Sequence, residues 1–362
     1  MSAPPATLRS LNRALLARQL LLKREKASVV DAVERLLAVQ AQLARPPYLA
    51  LWTRLQGFHR EDLTRALVAR TLVRATSLRG TIHLTSAADF LRFRATIQPG
   101  LDKGLASILK DRLDGADLEA VLVAGREFFD APHTFDALRD HFLKAFPKLD
   151  TRAIAYCTRL RMPTVQVPDD SPWGFPGQAD FIAAERWLKK KPSAKAEAAA
   201  LVTRYLAAYG PASIADAQAW LGLHDLKPVF TALAKTLTTI PGLKKGELFD
   251  LPDAPRPPED TSAPLRFLPD YDSAVVARAD GRIVPTEHRT KVFLSALRVA
   301  PVVLVDGFAA ATWKVERKKD VATLTVTPFG KLSASTKADI EREGTTLVKF
   351  VEPDAVKTGV SF

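Results

Sequence analysis

Two amides stand out in the run Val39-Gln40-Ala41-Gln42. A carboxamide oxygen accepts a hydrogen bond from water, and its dipole favours a nearby positive charge. Gln40 lies four residues after Leu36 and seven after Val33, on the apolar stripe of a helix that starts at Ser28. An amide on that stripe is costly unless hydrogen-bonded. Gln42 would point roughly 200° away in a continuing helix, at about 3.6 residues per turn. The two amides face one site only if the helix ends or loosens, and Pro46-Pro47 suit an ending. The plainer alternative is that both merely satisfy backbone groups near a helix end. Arg79-Gly80-Thr81 with His83 forms a second candidate. Gly80 allows close approach of backbone to a phosphate, and Arg79 can pair with one. A turn with a surface arginine accounts for the same residues. Lys244-Lys245 reads either as a phosphate contact at a hairpin tip or as a solvated loop.

The elements that must position these residues follow from periodicity and punctuation. Ser28, with Asp31 three residues on, reads as a helix cap. Helices are expected from Ser28, stopping by Pro46-Pro47, over 48–55 and from Glu61 to about Thr71, and Val73 to Leu84 reads as a hairpin around Arg79-Gly80. Three helices and a hairpin are the plan of a winged helix. The plan recurs with helices over 118–129, 134–146 and 151–161 and a strand at 163–168. It recurs again with helices over 197–208, 213–221 and 226–237 and a hairpin around Gly242–Gly246. Five prolines and three acidic residues in Pro252–Pro264 read as a linker. Beyond it come β-rich segments, a helix over 334–343 and a strand over 345–351. The expected fold is therefore α+β, with three tandem winged-helix units and a small C-terminal β-barrel-like domain. The expected boundaries are 1–114, 115–192 and 193–252, a linker at 253–264, and a last domain at 265–362.

Composition excludes several classes. The 362 residues are 47% hydrophobic and 25% charged, enough apolar surface for a core. No apolar run is long enough to span a bilayer, and Met1–Leu8 lacks the pattern of a secretory signal, so a cytoplasmic location is expected. A single cysteine, Cys157, excludes a disulfide framework and cysteine-rich zinc sites. The six histidines are scattered, and phosphate-binding, zinc-protease and serine-hydrolase motifs are absent, so neither metal nor cofactor is expected. Lys+Arg is 52 against Asp+Glu 40, a net charge of +12. Residues 1–114 hold 19 of those cations and 9 of the anions, a net of +10, which favours a polyanionic partner.

Ser28 to Leu36 leading to Val39-Gln40-Ala41-Gln42, then Pro47-Tyr48, Leu51-Trp52, Leu72-Val73-Arg74 and Arg79 to Leu84, resembles the AlkZ/YcaQ-like winged-helix DNA glycosylases. Tyr209-Gly210-Pro211-Ala212, Leu248 to Pro252, Phe267-Leu268-Pro269, His288-Arg289, Val305-Asp306-Gly307 and Trp313 extend the resemblance over nearly the whole chain. It implies three tandem winged helices and a C-terminal β-barrel forming a cradle for double-stranded DNA. It also implies hydrolysis of the N-glycosidic bond of N7-alkylguanine, interstrand crosslinks included. The family signature is Gln, an apolar residue, then Gln or Asp, so Gln40 and Gln42 would be catalytic and the chain falls in the AlkZ-like branch. Arg45, Arg74, Arg79, Thr81 and His83, beside the motif, would hold DNA, as would Lys244 and Lys245. Ser273 and Arg278 stand where many relatives have Asn and His, and Ala311 where glycine is common. The implied enzyme is a monofunctional, cofactor-free DNA glycosylase. The alternative is a winged-helix transcription regulator without catalysis. Such regulators usually dimerise on palindromes, whereas three different units in one chain suggest a monomer.

Overall fold

Thr7 caps helix α1 (Leu8–Arg18), its hydroxyl accepting from the Ser10 N–H. Ser28 caps α2 (Val29–Arg35) in the same way through Asp31 N–H, as its spacing predicts. In this computed structural model, residues 6–243, 246–277 and 279–362 are described; Lys244, Lys245 and Arg278 lie outside them. Helix α2 ends well before the glutamines. Leu37 takes a left-handed φ of 65°, and the chain re-emerges extended as β1 (Val39–Gln40). Pro46 and Pro47 open α3 (Pro46–Arg54) at its first turn, where a missing N–H costs nothing. Then follow α4 (Arg60–Val68), β2 (Leu72–Thr76), β3 (Ile82–Ser86) and α5 (Ala87–Leu109).

The second stretch gives α6 (Leu118–Phe128), α7 (Phe135–Ala145), α8 (Thr151–Arg161), β4 (Thr164–Gln166), β5 (Phe181–Ala183) and α9 (Ala184–Leu188). Its strands do not form a sheet of their own. They join the first unit's strands in one five-stranded sheet of order β1-β3-β2-β4-β5, with Ala75 opposite Val165. A boundary at residue 114 separates helices but cuts through a sheet. The third stretch gives α10 (Ala198–Tyr209), α11 (Ile214–Leu221), α12 (Lys227–Leu233) and a hairpin of β6 (Thr238–Pro241) with β7 (Glu247–Asp250).

The C-terminal part contains β8 (Arg266–Leu268), α13 (Ser273–Val276), α14 (Arg289–Val292), β9 (Val302–Val305), β10 (Phe308–Lys318), β11 (Val321–Pro328), α15 (Ala334–Val351) and β12 (Lys357–Ser361). Its strands form an open sheet of order β12-β11-β10-β9-β8, so among the described residues the expected barrel does not close. The reason lies in residues 345–351, whose β-branched content suggests a strand. They extend α15 instead. Ile340, Gly344, Leu347, Val348 and Val351 recur at helical spacing and are buried. The helix is pressed close to the sheet, since a Cβ on Gly344 would meet Leu324 Cδ2 at 2.6 Å. No helix among the described residues is long and apolar enough to cross a membrane.

Buried ion pairs tie these parts together. Arg18 meets Asp250 at 2.7 Å, and Arg54 meets both oxygens of Asp272 at 2.8 Å, all four side chains being essentially inaccessible. Removing one partner leaves the other charged and unsolvated, which costs about 3–5 kcal/mol. Asp272→Ala is accordingly expected to lower the urea midpoint by that equivalent, with little change in the slope of the transition.

Candidate active site

The glutamines lie past the end of the helix, Gln40 in β1 and Gln42 in the bend that follows it. From Val39 to Gln42 exposure alternates: Val39 and Ala41 are buried, Gln40 is half-buried and Gln42 is exposed. Side chains two apart in an extended segment share a side. Both apolar residues join the same core, while Gln40 and Gln42 keep contact with solvent. Gln40 sits opposite His83 across the β1–β3 pair, and Ala41 continues the pairing by donating to Ile82 O at 2.8 Å. The Ile82 N–H donates to Gln42 Oε1 at 3.3 Å, leaving that oxygen a second lone pair.

The turn before β1 is pinned from distant parts of the chain. Tyr209 Oη donates to Leu36 O, and Ser273 Oγ donates to Ala38 O, each at 3.1 Å. Ser273 thus holds the entry to the glutamine strand. Arg278 lies outside the described residues.

Two residues expected at the DNA surface are buried instead. Arg74 is only 5% exposed, because β2 is a fully buried central strand. Its guanidinium donates to Ala41 O at 2.9 Å and Gln42 O at 3.3 Å and lies 4.7 Å from the Phe175 ring. Burial pushes it down to about 10; Tyr48 opposes that and Arg159 adds to it. Arg74 is therefore a strut beneath the glutamine segment. His83 is 1% exposed, and its Nδ1 lies 3.2 Å from Thr81 O, so that nitrogen carries the proton. Burial, helped by Arg79, lowers His83 to about 3. It is a neutral core residue on β3.

This burial has a pH signature. An unfolded imidazole protonates near pH 6.5, whereas folded His83 stays neutral down to about pH 3. Its contribution is complete above pH 6.5 and is lost as pH falls toward 3, by up to about 1.4 kcal/mol per pH unit. Melting temperatures between pH 7 and 5 are expected to slope downward, and His83→Phe to flatten that slope.

The other expected contacts divide. Arg45, half-buried, precedes α3 three residues after Gln42 and faces Asp270, whose carboxyl is raised by burial while Arg45 draws it down. Thr81 is half-buried and donates from Oγ1 to Leu78 O at 3.2 Å. Arg79, at φ 55°, turns toward the third unit, donating to Trp220 O and lying 5.5 Å from the Trp220 ring. Lys244 and Lys245 fall outside the described residues. Arg159 of α8 had no signal in the sequence. Its Nε donates to Thr76 Oγ1 at 3.2 Å, at the end of β2 beside the hairpin tip. Among the described residues, no group of three or more His, Cys, Asp or Glu could hold a metal ion.

Helical units and sheets joined through buried ion pairs, with uncharged amides and arginines at one sheet end, define a mixed α/β protein whose first 114 residues carry a net charge of +10. The sequence profile of the AlkZ-like DNA glycosylases matches residues 33–350, and the chain belongs to that family. It is 25% identical, over 350 residues, to an interstrand DNA cross-link repair glycosylase of Streptomyces sahachiroi, covering 86% of this chain and 88% of that protein. The solved structure of Streptomyces sahachiroi DNA glycosylase AlkZ shares the fold, with a TM-score of 0.77 at 21% identity over 99% of this chain and 100% of that one. The resemblance read from the motifs holds, and family membership supports a DNA glycosylase over a transcription regulator.

Proposed function

We propose that this glycosylase hydrolyses the bond between deoxyribose C1′ and N9 of cationic N7-alkylguanine in duplex DNA, guanines held in interstrand crosslinks included. The observation that carries this reading is the presence of two solvent-accessible, uncharged amides two residues apart at the end of β1, with Ile82 N–H donating to Gln42 Oε1. Alkylation at N7 makes the base cationic. When the glycosidic electron pair moves to N9, the base leaves neutral and needs no proton. The sugar is left with oxocarbenium character. We assign Gln40 and Gln42 the placing of a water against C1′ and the stabilising of that positive charge through their carbonyl dipoles. Water oxygen bonds to C1′ and its surplus proton passes to solvent, since an amide is too weak a base to keep it. The product is an abasic site, and no lysine is required, which makes the enzyme monofunctional.

We read the three helical units as tandem winged helices that, with the C-terminal sheet, cradle the duplex. Arg45 and Thr81 flank the glutamines as candidate DNA contacts, and Lys244-Lys245 is a candidate phosphate contact. Three dissimilar units in one chain suit a monomer acting in the cytoplasm. A gel assay on duplexes carrying N7-methylguanine, or a nitrogen-mustard crosslink, tests the reading. Alkali-labile abasic sites and unhooked strands are expected from the wild type. Excision of neither lesion would overturn it.

A further inference from the structure

Several buried or half-buried arginines elsewhere in the molecule meet carboxylates, whereas buried Arg94 and Arg266 donate to Leu160 O and Leu21 O. Arg13 pairs with Asp306, Arg18 with Asp250, Arg54 with Asp272, Arg204 with Asp89 and Arg282 with Asp280. The three around the β2–β3 hairpin do not. Arg74 donates to backbone carbonyls of Ala41 and Gln42, Arg79 to Trp220 O, and Arg159 to Thr76 Oγ1. The titratable groups acting on them are Tyr48, Tyr209 and Tyr156, together with the repulsion of Arg159 on Arg74. Arg74 and Arg159 repel one another, and among the described residues neither has a carboxylate partner, a cost that an anion at the site would offset.

The three differ in what they can offer that anion. Arg74 is covered, and Arg79 is engaged with Trp220. Arg159 is half-buried, with its guanidinium 5.7 Å from the Phe135 ring, and among the described residues only its Nε donates within the chain, so the four N–H groups of its Nη atoms remain for an outside partner. A short chain of contacts links it to the glutamines. Arg159 holds Thr76, Thr76 pairs with Ile82, and the Ile82 N–H donates to Gln42 Oε1. We propose that Arg159, supplied by the second helical unit, grips a phosphodiester oxygen pair of the damaged strand at the end of the β2–β3 hairpin and so positions the lesion sugar over Gln40 and Gln42. A guanidinium fork matches two phosphate oxygens. This rests on the glycosylase reading, and Arg159 is a positioning residue within it.

The test is binding, which does not depend on excision. Full-length protein is titrated by fluorescence anisotropy against a duplex with a tetrahydrofuran abasic analogue, over a series of KCl concentrations. Loss of one phosphate contact reduces the slope of log K against log salt by about one. Arg159→Gln is expected to show that reduction with weaker binding, and Arg159→Lys to retain the slope. Arg342→Gln, removing a charge already paired with Asp339 on α15, is expected to leave the slope unchanged. An unchanged slope in a folded Arg159→Gln overturns the assignment, as does a slope in Arg159→Lys reduced as far as in Arg159→Gln. Failure of the wild type to excise N7-methylguanine would overturn the reaction, while the salt slopes would still decide Arg159.

Discussion

Changing both glutamines to alanine is expected to lower the single-turnover rate of N7-methylguanine excision by about a thousandfold, the order of effect seen when positioned uncharged groups around a developing charge are removed. Duplex affinity should stay within about twofold, because neither side chain carries charge. The scaffold should survive. Arg74 braces the segment through the backbone oxygens of residues 41 and 42, which alanine retains. Only the bond from Ile82 N–H to Gln42 Oε1 is lost, a cost of about 0.5–1.5 kcal/mol. The single variants should each approach the double in severity, since groups acting on one water do not contribute additively. Quenched-flow measurements with enzyme in excess decide the matter. A double variant within a few-fold of wild type would mean that the water is placed by other residues.

Lesion charge should matter nearly as much. The same enzyme is expected to excise N7-methylguanine and to release uracil from an otherwise identical duplex slower by about 10²–10⁴-fold, the usual contribution of a general acid. A neutral base leaves as an anion unless protonated, and the site offers little to protonate it. His83 is neutral and buried, with the proton on Nδ1 committed to Thr81 O. Consistent with that, the excision rate for the cationic lesion should be flat from pH 6 to 8. Comparable rates on the two bases, or a limb titrating near pH 6, would require a proton donor and would displace the charge-driven mechanism.

Local signals carried much of the architecture. Ser28 and Asp31 mark the start of α2, and the apolar-rich segment 247–251 after Gly246 marks a strand. The glutamine motif was legible by resemblance, but its geometry was not. The apolar stripe through Val33 and Leu36 pointed to a helix reaching Gln40. What ends α2 is Leu37 in a left-handed conformation, held by Tyr209 and Ser273 from far along the chain. No residue near Leu37 announces that. Arg74 and His83 lie beside the motif in sequence, which suggested contact with DNA. Their burial follows from β2 and β3 lying inside a sheet completed by β4 and β5, a long-range pairing that spacing does not encode. Arg159 was invisible for the same reason, because its place depends on how α8 meets the tip of a hairpin some eighty residues earlier. In the last domain, β-branched Thr345 and Thr346 outweighed a helical burial pattern that becomes evident only with the sheet beneath it.

The sheet shared by the first two units also dictates when this enzyme can come into being on the ribosome. Synthesis proceeds at roughly 5–20 residues per second, N-terminal segments first. The β1–β3–β2 portion emerges with the outer edge of β2 unpaired, and it stays so until β4 and β5 have been made. For that interval the nascent chain presents an open, apolar strand edge, the kind of surface that recruits chaperones or sticks to a neighbour. The clamp on Leu36–Ala38, made by Tyr209 and Ser273, arrives later still. A chain released early is therefore a folding hazard rather than a weak glycosylase, and competence to cut a base from DNA comes only near the end of translation.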